Sequence, residues 1–256
     1  MQQLATRPWI TASVALAGAG VIAATPVTVP LPEIHVVDIQ LTAGEEEITL
    51  DLVRHGQSTD NVAGIIGTVA PGAPLTAEGQ EEADAVAQVI NQEFPDEIAG
   101  IYASGLIRTQ ETAAPLAQLL GMNVTDLSGL NELNAGILEG IHQNDITGLL
   151  YLAAPLAWMF GDYWVPELGS SDYNGMAFES RFSDAVDTIY SNTVADGDGK
   201  TVDVAFSHAA ALVTWTMMNV KNPDFEVFFK ELTAGLIPNT GQMVLQGDPT
   251  DGWTLV

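Results

Sequence analysis

Arg54-His55-Gly56 is the combination in this chain best equipped for chemistry. A neutral imidazole keeps an unprotonated ring nitrogen near physiological pH and can act as a nucleophile. An arginine beside it supplies a planar fork of donors that suits a bound anion, most naturally phosphate. Arg108 and His208 offer a second group of each kind elsewhere in the chain. Glu132 and Glu139 share one irregular, glycine-rich stretch, and either carboxyl could protonate a leaving group. Spacing alone does not choose between them. His55, His208 and a carboxylate could instead hold a divalent metal, although two guanidinium groups nearby disfavour a cation. The chain has no cysteine, which excludes disulfides, thiolate nucleophiles and zinc–cysteine sites.

The elements that must position these groups are legible from periodicity. Ile48 to Arg54 begins as alternating apolar residues, the signature of a half-buried strand that delivers His55 to its carboxyl end. Open α/β sheets place their ligands at that end. Gly56 is expected to let a bound group approach the backbone. Residues 61–74 read as a loop, and Thr76 as the N-cap of a helix with Ala83, Val86, Ala87, Ile90 and Phe94 on one face. Ile98 to Ala103 reads as a strand, and Leu106 to Leu120 as a helix closed by Gly121. Arg108 therefore lies in the first turn of a helix at a strand's carboxyl end, where backbone amides also favour an anion.

Met122 to Leu127 is a further expected strand. Residues 140–180 bring the aromatics Tyr151, Trp158, Phe160, Tyr163, Trp164, Tyr173 and Phe178, and no lysine or arginine occurs from Thr109 to Ser180. This stretch is expected to be an inserted helical cap over the sheet, its aromatics forming mainly the cap's own core. A helix through Phe182, Val186, Ile189 and Tyr190 leads to the strand Val202 to Ser207, which ends in His208 and repeats the first strand–histidine–helix junction. Gln242 to Gln246 and Trp253 to Val256 flank a Gly-Asp-Pro-Thr-Asp-Gly turn and read as an edge hairpin. Strands alternating with helices predict a three-layer α/β/α sandwich with a mostly parallel sheet.

Composition narrows the partners. Lys and Arg number 7 against 33 Asp and Glu, for a formal net charge of −26 over 256 residues. Such a surface repels nucleic acid and anionic lipid headgroups. With only four arginines in the chain, two of them in candidate site motifs is a large share. Pro8 to Pro32 carries no charge, and Ile10 to Ala24 is a small-residue apolar run after Arg7. This resembles a secretory signal and is short for a span of about 20 apolar residues. Residues 1–45 are thus expected to be a signal-like segment and extended linker, and residues 46–256 the functional domain. The expected location is secreted or attached to the cell envelope, with a cytoplasmic one as the alternative.

Four motifs in order carry a resemblance to a known family. They are Leu52-Val53-Arg54-His55-Gly56-Gln57-Ser58 with Asn61, Ala103-Ser104-Gly105-Leu106-Ile107-Arg108-Thr109-Gln110-Glu111-Thr112-Ala113, Leu130-Asn131-Glu132, and Phe206-Ser207-His208. In these the chain resembles the histidine phosphatase (phosphoglycerate mutase-like) superfamily over about residues 46–256. The resemblance implies His55 as nucleophile and Arg54, Arg108 and His208 as the phosphate pocket. It implies Glu132 as proton donor and Asn61 as a supporting polar contact. Ala209 stands where many members have glycine, and Ala135 where the mutase branch has tyrosine. The cap also lacks that branch's basic substrate-binding residues. The expectation is a metal-independent phosphomonoesterase, needing no cofactor, that works through a phosphohistidine on a small phosphate monoester. The alternatives are mutase-type phosphotransfer or a non-catalytic phosphate-binding protein. Nucleic acid and metal are not expected partners, and a homo-oligomer is compatible with this reading.

Overall fold

The computed structural model describes residues 46–228 and 237–256. The signal-like run and the linker lie outside the described residues. Six strands form one sheet: β1 (Ile48–Arg54), β2 (Ile98–Ala103), β3 (Val124–Asp126), β4 (Val202–Ser207), β5 (Gln242–Asp248) and β6 (Gly252–Leu255). Their order across the sheet is β3-β2-β4-β1-β5-β6. β3, β2, β4 and β1 run parallel, β5 runs antiparallel to β1, and β6 pairs antiparallel with β5 as the expected edge hairpin.

Between the strands lie α1 (Thr59–Ala63), α2 (Ala77–Glu93), α3 (Ile107–Leu120), α4 (Asp145–Met159), α5 (Gly175–Asp196) and α6 (Ala209–Asn219). Each face of the sheet has its own buried cluster. Val53, Val204 and Phe206 pack with Val86, Ile90 and Leu116 of α2 and α3. Leu50, Leu52 and Ala205 pack with Trp158, Phe178, Phe182 and Trp215 of α4, α5 and α6. The alternation within β1 and β4 feeds both layers, which gives the three-layer sandwich. Among the described residues no helix is long and apolar enough to cross a membrane.

Two local expectations change. The stretch after His55 is not a loop throughout. Ser58 caps the short α1, its hydroxyl accepting from the Asn61 N–H while the Asn61 side chain accepts from the Ser58 N–H. A five-residue helix carries too little periodicity to be seen in advance. Residues 140–180 are helical only in α4 and the start of α5. Trp158 and Phe178 there are fully buried and join the sheet's own core, so they form no separate cap core, while Phe160 and Trp164 are exposed.

Asp51 and Asp203 sit inside the two core layers, one on each face. Asp51 accepts from Gln242 Nε2 at 2.8 Å, and its other oxygen has no partner among the described residues. Burial pushes its carboxyl from 3.8 up to about 7, against the Gln242 hydrogen bond and with help from the Glu93 charge. The folded state therefore holds this proton more tightly than the unfolded chain. Stability is full below pH 4 and falls as pH rises to about 7, a swing of about 4 kcal/mol. Asp51→Asn is expected to stabilise the protein at pH 8 by about 2–4 kcal/mol more than at pH 4. Chemical denaturation at the two pH values measures this, and an equal effect at both would refute it.

Candidate active site

Three neighbouring parallel strands end side by side. Arg54 pairs with Ser207 across β1 and β4, and Ala103 with Phe206 across β2 and β4. The next residues, His55, His208 and Ser104, are therefore brought together although the chain separates them widely. α3 starts just beyond β2 and turns Arg108 from its first turn toward both histidines. This junction encloses a cavity of about 120 Å³. Arg54, His55, Asn61, Arg108 and Glu132 line it, with Thr68, Tyr151 and Ala210 among the other walls.

His55 is buried, with 4% of its surface exposed. Its Nδ1–H donates to its neighbour's carbonyl, Gly56 O, at 2.7 Å, which leaves Nε2 as the nitrogen with the lone pair. Arg108 Nε–H donates to that Nε2 at 3.0 Å. Burial, then the charges of Arg108 and Arg54, hold the His55 ring well below the usual histidine range, so it is neutral. Arg108 Nη2 lies 3.1 Å from His208 Nδ1 and donates to Gly67 O at 3.0 Å. Ser104 Oγ meets His208 Nε2 at 2.8 Å. Burial and the Arg108 charge likewise lower the His208 ring. Arg108 thus sets an N–H against one ring nitrogen of each histidine, where a metal cation would have to sit, and His208 itself is fully buried and is not among the residues that line the cavity.

Both guanidinium groups keep buried donors in reserve. Arg54 Nη1 donates to Ile237 O, but Arg54 Nε and Arg108 Nη1 have no partner among the described residues. A buried donor without an acceptor costs about 1–3 kcal/mol. An anion bound between the two side chains would remove that cost.

The two candidate carboxylates separate clearly. Glu132 Oε1 accepts from Leu133 N–H at 2.8 Å and from Ala211 N–H, in the first turn of α6, at 2.9 Å. Glu132 also lines the cavity. Burial raises its carboxyl, opposed by the Leu133 hydrogen bond, the Arg108 charge and the Ala211 hydrogen bond. Glu139 turns elsewhere. Both of its oxygens accept from Thr68 N–H at 3.0 Å, and it also takes Thr68 Oγ–H at 2.6 Å and Val69 N–H at 3.3 Å. It ties down the loop that forms one wall.

Asn61 lines the cavity while its Oδ1 is held by Ser58 N–H and by Asn239 Nδ2 at 3.4 Å. Gly56 has a different purpose from the one expected. A Cβ there would stand 2.6 Å from Gly79 O, so the close approach is that of α2 rather than of a bound group. His142 is on the surface.

Several supporting groups escaped the sequence reading. Asn239 Nδ2 donates to His55 O at 3.1 Å, and Thr112 Oγ accepts from Gly56 N–H at 3.0 Å. Arg181 reaches from α5 to donate to Gly129 O at 2.8 Å, Asn131 O at 2.9 Å and Tyr173 Oη at 3.0 Å, holding the chain that leads into Glu132. The scarcity of arginine was the one available hint to Arg181. Thr112 stands within the Arg108 motif, but its bond to Gly56 has no sequence signal, and neither has Asn239, since their partners are distant in sequence.

A family model described as the histidine phosphatase superfamily, branch 1, matches residues 50–230. PE-PGRS family protein PE_PGRS11 of Mycobacterium tuberculosis is 48% identical over 217 residues, covering 82% of this chain and 36% of that protein. "Probable phosphoglycerate mutase GpmB" of Escherichia coli is 38% identical over 96 residues, covering 38% of this chain and 43% of that protein. The chain thus spans less than half the length of these relatives. Among solved structures, a mycobacterial glucosyl-3-phosphoglycerate phosphatase superposes with TM-score 0.60 at 22% identity, over 82% of this chain and 97% of that one. A phosphoserine phosphatase mutant from Entamoeba histolytica gives TM-score 0.55 at 22% identity, over 81% of this chain and 94% of that one. At this identity the two structures speak for a common fold.

Proposed function

The chain belongs to the histidine phosphatase superfamily, and from that premise we propose that it is a phosphomonoesterase working through a phosphohistidine, without a metal. One observation carries this reading. Two buried guanidinium groups with unpartnered N–H donors flank a neutral imidazole at the cavity, whose Nε2 lone pair accepts Arg108 Nε–H until a phosphate oxygen takes that donor. As Arg108 Nε–H turns from Nε2 to a phosphate oxygen, the freed Nε2 attacks phosphorus in line, and the N–P bond forms as the ester P–O bond breaks. Arg54 and Arg108 donate to the equatorial oxygens and stabilise the charge that builds up there, with His208 as a further contact. The leaving alkoxide takes the proton of Glu132. The carboxylate so formed then draws a proton from water, whose oxygen displaces His55 and releases inorganic phosphate.

Substrate choice follows from the other walls. Among the described residues the cavity is lined by no lysine and by no arginine besides Arg54 and Arg108. A second anionic group on the substrate would have nothing to pair with there. A monoester with an uncharged leaving group is therefore expected to be hydrolysed at least about tenfold more efficiently than 3-phosphoglycerate, the cost of one poorly paired polar group. The test is a screen of the full chain against phosphate monoesters with and without a chelator. Chelator-insensitive release of phosphate is the expected outcome. Chelator-sensitive turnover, efficient interconversion of phosphoglycerates, or phosphate binding with no turnover of any monoester would each overturn the proposal.

A further inference from the structure

Beside the cavity runs an apolar row on α4 that the reaction itself does not use. Leu152 of α4 lines the cavity. Leu149 and Ile146, at successive i, i+3 positions back along α4, continue from it over about 9 Å of helix. Leu149 is 65% and Ile146 71% exposed. The opposite side of α4 is already satisfied: Tyr151, Ala154, Pro155 and Trp158 are buried. A surface helix ordinarily carries polar residues on its open side. Here the open side is apolar and ends in the proposed active site.

We infer that this row takes the hydrocarbon tail of the substrate, so that the preferred monoester is an amphiphile with an alkyl or alkenyl chain on the phosphate. The inference rests on the phosphatase reading of the same site and adds the class of leaving group. Charge complementarity favours this occupant. The sequence from Thr109 to Ser180 offers no lysine or arginine to an anionic partner or an anionic headgroup, and a net charge of −26 opposes docking on an acidic membrane. A single chain entering from the cavity needs neither. Its phosphate is held by Arg54 and Arg108 while its methylenes leave water along Leu152, Leu149 and Ile146.

The test compares ethyl, butyl and octyl phosphate below their micelle-forming concentrations, with the full chain. A fully buried methylene would contribute about fourfold, so along a half-open face about twofold per methylene is expected, or about fiftyfold in KM from ethyl to octyl. kcat should change little, because the tail binds equally in ground and transition states. The double substitution I146S with L149S should flatten this series while ethyl phosphate is turned over as by the parent. No turnover of any member of the series by the parent would defeat the phosphatase reading. Turnover that is indifferent to chain length, or an unchanged series in the double variant, would overturn the tail site alone. A drop in oligomeric state on size exclusion, with the series intact, would reassign the row to a second copy of the chain.

Discussion

His55→Ala is expected to reduce turnover of every phosphate monoester by about 10⁴-fold or more, since it removes the atom that forms the covalent bond. The geometry makes the substitution clean. His55 uses Nδ1 only to bind its neighbour's carbonyl, and Nε2 only to accept from Arg108. Its backbone carries the structural duties: the N–H donates to Ser207 O at 3.0 Å, and the carbonyl receives Asn239. Alanine keeps both. Arg108 Nε–H would lose its acceptor, a cost of about 1–3 kcal/mol that a bound phosphate would partly recover. The variant should thus fold, as circular dichroism would show, and still bind inorganic phosphate through Arg54 and Arg108. Phosphate trapped on the parent under acid quench-free conditions should map to His55 and be labile to acid. Undiminished activity in the variant, or label on another residue, would sink the assignment.

The second large effect separates the two carboxylates by leaving group. Glu132→Gln should slow an alkyl phosphate by about 10²–10⁴-fold, the usual loss of general acid catalysis. A nitrophenyl ester leaves without a proton, so its first step should be far less affected. The pH profile should change as well. The acid must be protonated, so activity in the parent falls as pH rises through the raised Glu132 value, and Glu132→Gln should abolish that limb. The rise at lower pH belongs to His55, which must be neutral and is held well below the usual histidine range. Glu139→Gln works through another route. It weakens the grip on Thr68 and Val69, so both esters should suffer alike. Single-turnover rates of both variants on both esters decide the matter. Equal losses for Glu132→Gln, with a selective loss on the alkyl ester for Glu139→Gln, would reverse the roles.

Where the candidate site residues stand along the chain is legible in the sequence, because its signals are local. The period-2 run into Arg54 and the apolar run into Ser207 set His55 and His208 at strand ends. The helix beginning at Ile107 and closed by Gly121 set Arg108 in a first turn. These follow from backbone geometry and burial over a few consecutive residues, and the fold class follows from their alternation. What joins β1 to β4 and β4 to β2 is register between strands far apart in sequence, and only the tertiary structure shows it. The same holds for Glu132 and Glu139. Both stand in one irregular stretch with similar neighbours, and their difference lies in which distant amides they meet, Ala211 for one and Thr68 for the other. Gly56 shows the limit from the other side. Its lack of a side chain was legible, but that it makes room for Gly79 of α2 was not. A contact between residues distant in the chain is decided by how whole elements pack, and packing leaves no period in the sequence to read.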